Sequence, residues 1–265
     1  MPVNISEPDT TPGEEAHILR KAALAAKAGN RVLGIIAGLL ILVMLLYGAY
    51  SLWDTAMVYA GAFLDDDLLQ YKPTGEGEDN PTLEELMQIN PDVRGWLTID
   101  DTNIDYPVVQ GETDMEYVNK DVYGEFALSG SIFLDSENSP DFTDSYSLVY
   151  GHHMSNGAMF GDVVEFVNED YFEGHITGTL YLPDSTYEIT LFACVEADAS
   201  DSRIYSPQLQ NSSTLDSFLS YIKEKSVQYR DVGVSPEDRI IGLSTCAEAV
   251  TNGRVVVFGL LNPRS

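Results

Sequence analysis

Two side chains in the stretch 240–261, IIGLSTCAEAVTNGRVVVFGLL, could do nucleophilic chemistry: Cys246 at the end of one apolar run and Arg254 at the start of the next. A free thiol is mostly protonated at neutral pH, and a neighbouring base or cation raises its thiolate fraction. Cys246 is therefore either a buried strand cysteine or a nucleophile that Arg254 serves. The chain has four histidines from which a base can be drawn. His17 precedes a long apolar span and lies on its far side, and His175, in YFEGHITG, reads as a surface or turn residue at a strand entrance. His152 and His153, in SLVYGHHMSNG, follow Gly151 where an apolar strand breaks into a loop, a place from which side chains reach a pocket. A polar turn is the other reading of that GHH. The second cysteine, Cys194 in YEITLFACVEA, falls in an alternating strand and reads as a small apolar filler.

Two cysteines are too few for a disulfide-stapled scaffold, although one bridge between them stays open, and no Cys/His cluster has zinc spacing. The acidic loop DSENSPDFTD lacks EF-hand spacing and reads as a solvated face rather than a calcium site. No metal and no other cofactor is expected. A formal charge of −28 makes nucleic acid an unsuitable partner. Residues 1–31 carry four basic and four acidic side chains, so the whole deficit lies downstream of them.

The elements that must hold these residues begin with a membrane anchor. Residues 32–53, VLGIIAGLLILVMLLYGAYSLW, are 22 in number without a charge, which as a helix spans roughly 33 Å. Arg20, Lys21, Lys27 and Arg31 precede this run and the next basic residue is Lys72, so the positive-inside rule leaves the N-terminus in the cytoplasm. A cleaved signal peptide is the rival reading, but its apolar region is usually shorter. The expected order is a cytoplasmic tail over 1–31, a single transmembrane anchor over 32–53, an extracellular linker over 54–81 and a catalytic domain over 82–265, outside the cell. Thr82 and Glu85 have capping-box spacing ahead of Leu83, Leu86 and Met87, so a short amphipathic helix opens the domain and ends at Pro91. Strand signals then dominate: WLTI, NIDYPVV, GSIFLD, YSLVYG, ITGTLYL, YEITLFACV, DRIIGLS and RVVVFGLL, separated by turn residues. So many short strands predict a mainly β barrel or sandwich. Helical spacing predicts two interruptions, over 160–167 and over about 213–225, the second with Leu215, Phe218, Leu219 and Ile222 inward.

LVYGHHM, GLSTC and GRVVV, in that order, resemble the sortase family of Gram-positive cell-surface cysteine transpeptidases. The opening helix before NPDVRGWLTI, the segment EYVNKDVYGEFALSGSIFLD and the helical insertion before the cysteine strand resemble class B in particular. The likeness covers about 82–261. It implies a closed sortase-type β-barrel of about eight strands with an N-terminal helix and that insertion. By motif it makes Cys246 the nucleophile, His152 the acid/base, since the family's histidine directly follows the glycine, and Arg254 the stabiliser of developing negative charge, with His153 as the fallback. It also implies that Tyr150 and Ser244, with Thr245 beside them, contact the peptide substrate. Glu248 is either a tuning residue or an incidental acid.

The implied reaction cleaves a C-terminal sorting signal, NPxTN-, NPxTG- or LPxTG-like, through a thioester and joins the new carboxyl end to an amine. The substrates are surface proteins or pilins, and the amine belongs to a cell-wall peptide of the lipid II type or to a pilin lysine. Two rivals stand beside this reading. A non-catalytic adhesion or assembly module on the same barrel has no reason to keep the Cys, His and Arg together, and papain-like thiol proteases place Cys before His in the chain, the reverse of the order here.

Overall fold

The computed structural model describes residues 12–60, 62, 66–74, 80–246 and 253–264. It divides into two units, Met1–Ala56 and Met57–Ser265. The described residues of the first unit all belong to α1, Pro12–Ala60, a helix whose leucines and isoleucines between 33 and 46 are exposed. Among the described residues it is the one helix long and apolar enough to cross a membrane, over Gly13–Ala56. The apolar run read from sequence therefore sits inside a longer helix, which continues through Ala60 into the stretch expected to be linker.

In the second unit a short helix, α2 (Asp66–Leu69), precedes α3 (Pro81–Ile89) and the strands β1 (Val93–Ile99), β2 (Asp105–Val109), β3 (Ile132–Leu134) and β4 (Tyr146–Gly151). A 3₁₀ segment, Gly161–Val167, leads through α4 (Glu169–Gly174) to β5 (Thr177–Leu182) and the long β6 (Ser185–Asp198). Then come α5 (Leu215–Lys225), β7 (Ser226–Tyr229), β8 (Arg239–Cys246) and β9 (Gly253–Pro263). The strands lie in the order β5-β1-β2-β3-β4-β8-β9-β6, and β6 pairs back to β5, closing an eight-stranded barrel as expected. The strand that sequence patterning did not show, β7, pairs with Ala193–Val195 of β6 beyond the closure. All pairings are antiparallel except β2–β3 and β4–β8.

Alternation along the strands splits the apolar residues between three clusters. The barrel interior holds Val108, Ile132, Val149, Leu243, Val255 and Val257. Outside β4, β8, β9 and β6, the apolar face of α5 covers a second cluster, with Leu215, Phe218 and Ile222 against Tyr146, Leu148 and Phe258. The expected inward residue Leu219 is only partly buried there. A third cluster forms where Leu83 and Leu86 of α3 meet Trp96, Val109 and Phe133.

Three local expectations change. The capping box at Thr82 does not form: Pro81, whose fixed φ suits the first helical turn, starts the helix two residues earlier than that box would. Asn80 takes the N-cap position, and its side-chain amide donates to the Leu182 carbonyl (2.6 Å) instead of capping the helix. The segment 66–74, read as stalk, packs Leu68 and Tyr71 onto the third cluster, and Lys72 pairs with Asp105 (2.5 Å). The helix predicted over 160–167 is a 3₁₀ segment from Gly161, followed by α4, whose N-cap Asn168 accepts from the Asp170 amide (3.0 Å).

Candidate active site

Strand register brings the candidate residues to one end of the barrel. In the parallel pair β4–β8, Tyr150 is opposite Ser244 and Gly151 opposite Thr245, and His152 and Cys246 are the next residues along their respective chains. In the antiparallel pair β8–β9, Cys246 is opposite Arg254. Cys246 and Arg254 are thus paired at two adjacent strand ends, and His152, far from both in sequence, directly follows the end of the third. Cys246 is described by its backbone as the last residue of β8; its side chain, Glu248 and the connection 247–252 lie outside the described residues.

His152 is half-buried, and burial lowers its pKa below the ordinary histidine value. Its backbone is fixed by the hairpin-like loop that follows. The Phe160 amide donates to the His152 carbonyl (3.0 Å), and His153 bridges Met159. The turn between them needs positive φ at Gly157 (82°) and at Met159 (55°). The sequence signal GHH also rests on Gly151, where a Cβ would sit 2.5 Å from Ile132 Cδ1 and 2.6 Å from Phe160 Cγ. Glycine is required there because β4 is pressed against the returning limb of the loop. The fallback residue His153 is half-buried, and its Nδ1 is hidden from solvent without a hydrogen-bond partner among the described residues. His175 caps α4 at its C-terminus, with Nδ1 2.7 Å from the Tyr171 carbonyl oxygen and its ring stacked on Tyr171 at 3.8 Å.

Arg254 is half-buried, donates from Nη1 to the Gly253 carbonyl (3.2 Å), its one hydrogen bond among the described residues, and lies within the field of Asp198. The Asp198 carboxyl is held below its ordinary pKa first by the Ser200 hydroxyl and amide, then by the Arg254 charge.

The three residues expected to contact substrate separate. Tyr150 and Ser244 share the outer face of the barrel, while alternation turns Thr245 to the interior side with Leu243, where it is 2% exposed and its hydroxyl has no partner among the described residues. Ser244 is itself 1% exposed, with its Oγ 3.2 Å from the Tyr205 hydroxyl. Tyr150 is the accessible member. Its ring is near-parallel to that of Tyr205 (6.5 Å, 14°) and tilted on Phe133 (5.3 Å), and its hydroxyl donates to Asp135 Oδ2 (2.9 Å). Burial raises the pKa of Asp135, and burial with the Asp135 charge raises that of Tyr150 well above the ordinary phenol. Sequence reading missed Tyr205 and Asp135. Tyr205 lies in an irregular loop, DSRIYSPQL, with no period to read, and Asp135 looked like one acid among many in DSENSPDFTD.

In chemical terms a cysteine, a histidine and an arginine whose backbones meet at one end of the barrel suit covalent acyl transfer. The other cysteine does not: Cys194 is in the interior cluster, and burial followed by the Glu196 charge pushes its thiol up to about 12.

A closed barrel of this topology with that strand-end array defines a class of protein, the barrel-type cysteine transpeptidases. The sortase-domain family model matches residues 97–262. Sortase B of Listeria monocytogenes is 35% identical over 187 residues, covering 70% of this chain and 76% of that protein. Among solved structures, a Streptococcus pyogenes class B sortase involved in pilus biogenesis is 43% identical, with a TM-score of 0.63, over 68% of this chain and 97% of that one. A Staphylococcus aureus sortase B–substrate complex is 31% identical, with a TM-score of 0.67, over 72% and 88%. The chain belongs to the sortase family of cysteine transpeptidases, and within it to class B.

Proposed function

We propose that this sortase is held in the membrane by residues 32–53, with its N-terminus in the cytoplasm, residues 54–81 as the extracellular linker and 82–265 as the catalytic domain, and that it anchors surface proteins to a cell-wall amine. The observation that supports the catalytic assignment is the strand register: Cys246 is opposite Arg254, and Gly151, the residue before His152, is opposite Thr245, the residue before Cys246. His152 takes the thiol proton, and the Cys246 thiolate attacks the carbonyl carbon of an NPxTN-, NPxTG- or LPxTG-like sorting signal. Arg254 holds the oxyanion. Collapse breaks the C–N bond, the leaving amine takes the proton back from His152, and a thioester remains. An incoming amine attacks the thioester, His152 accepts its proton, and the thiolate departs as the new amide forms. Tyr150 offers the peptide an aromatic surface beside this centre.

A second acceptor is favoured by one observation: the Streptococcus pyogenes relative is a class B sortase involved in pilus biogenesis. On that reading the amine is a pilin lysine. Both readings are tested with the full chain in detergent, given signal peptides of each type and either a cell-wall-type peptide amine or a lysine peptide. Amide product with one amine and not the other decides the acceptor. Cleavage by a Cys246→Ala variant at the parent rate would overturn the nucleophile assignment.

A further inference from the structure

Of the three aligned residues, Cys246 and Arg254 belong to strands, whereas His152 is the first residue past the end of β4. Its position is therefore set by whatever fixes the loop 152–162, and two contacts from outside the loop do so. The Tyr106 hydroxyl, on β2, accepts a hydrogen bond from the Met159 amide (2.9 Å) and donates its own hydrogen to the Ala62 carbonyl (3.1 Å). Tyr106 is 6% exposed and Met159 3% exposed, so this bond is sealed from water. Met159 is the residue at positive φ that bridges His153, next to Phe160, whose amide holds the His152 carbonyl. The second contact lies at the turn between β1 and β2: Asp162 Oδ2 accepts from both the amide (2.7 Å) and the side-chain amide (3.0 Å) of Asn103.

We propose that the β1–β2 hairpin clamps the histidine loop, with Tyr106 and the Asn103–Asp162 pair as positioning residues for His152. The clamp acts through the backbone: hairpin to Met159 and Asp162, these to the returning limb, and Phe160 to the His152 carbonyl. Without the Tyr106 hydroxyl the Met159 N–H is buried unpaired, and that limb, already at positive φ, relaxes away from β2. Because Tyr106 also bonds Ala62, that residue and the histidine loop share one hydroxyl.

The inference rests on His152 being the acid/base, and the test separates the two. Tyr106→Phe removes one oxygen and leaves the ring volume; Asp162→Ala removes the partner of the exposed Asn103. With the full chain in detergent and a sorting-signal peptide, both variants are expected to lower kcat on the order of ten- to a hundredfold with KM within twofold, at a temperature well below their unfolding midpoints. His152→Ala is expected to be inactive. Turnover by His152→Ala at the parent rate sinks the acid/base assignment itself. An inactive His152→Ala alongside Tyr106→Phe and Asp162→Ala variants that keep kcat within twofold, or change only KM or the unfolding midpoint, overturns the clamp and leaves the acid/base assignment standing.

Discussion

Tyr150 carries two separable roles, and two substitutions pull them apart. Its hydroxyl donates to Asp135 Oδ2 at 2.9 Å, while its ring lies against Tyr205 and Phe133 on the face that leads to the strand ends. Asp135 is 3% exposed, and its Oδ1 accepts from the Glu137 amide (3.0 Å). Tyr150→Phe removes a hydrogen bond to a buried carboxylate, worth about 1.5–3 kcal/mol. For a domain of this size each kcal/mol shifts the midpoint by about 2–4 °C, so thermal unfolding should come roughly 3–12 °C earlier. Burial already raises the folded-state pKa of Asp135, and the phenol opposes that rise. A carboxyl raised above its unfolded value costs stability as pH climbs from the unfolded to the folded pKa, because the folded state is then the better proton binder. Without the phenol the folded pKa rises further. The gap between parent and variant should therefore be full at neutral pH and close as the solution is acidified. Because the ring remains, KM for a signal peptide stays within twofold in Tyr150→Phe, whereas Tyr150→Ala raises it severalfold by removing the aromatic surface. Differential scanning calorimetry across pH and steady-state kinetics measure the two effects. A Tyr150→Phe protein with the parent midpoint at neutral pH, or a gap that widens in acid, would refute the reasoning.

Arg254→Ala should lower kcat about a hundredfold or more, as loss of an oxyanion donor does, while Arg254→Lys, with the charge but not the planar fork, falls between alanine and parent; an alanine variant within tenfold of the parent contradicts the role. Native chain treated with a thiol-alkylating reagent should be modified at one of its two cysteines, since Cys194 is fully buried with its pKa raised to about 12, and mass spectrometry of the digest locates the adduct. Cys194→Ser should destabilise the fold by about 1–3 kcal/mol, by placing an unpaired hydroxyl in the core, yet leave kcat unchanged; measurable alkylation at Cys194 in the native protein argues against this burial.

The barrel was legible because each of its eight strands carries its own alternating or continuous apolar run, a local property. The strand β7 was not, since SVQY has no buried residue and pairs only with a short piece of β6. The start of α3 was misread for a similar reason: Thr82 and Glu85 have the spacing of a capping box, but the choice of cap belongs to Asn80 and Pro81. Segment 66–74 reads as linker because its composition is polar, while Leu68 and Tyr71 find apolar partners that only the folded barrel provides. At the candidate site the types of residue were visible and their faces only partly so. Alternation along GLSTC puts Ser244 and Thr245 on opposite faces, a conclusion available from sequence alone; that Ser244 is nevertheless covered depends on Tyr205, which reaches it from a remote loop.

The division between strand and loop explains how the site tolerates a long chain between its members. A parallel β4–β8 pair can only form after the chain has crossed through β5, β6, α5 and β7, so the alignment of Gly151 with Thr245 depends on barrel closure and not on any local turn. Once closed, the register is held from both sides, by Val149, Leu243 and Val257 inside and by Tyr146, Leu148 and Phe258 outside. A one-residue slip would exchange those two sets and is therefore strongly resisted. Cys246 and Arg254 inherit that rigidity directly, being strand residues paired with each other. His152 inherits it only as far as Gly151, and the rest of its precision has to come from the loop that doubles back to Phe160. This is why the least regular stretch near the site carries two positive-φ residues, a glycine with no room for a methyl group at its start, and two ties to a hairpin on the far side of β3.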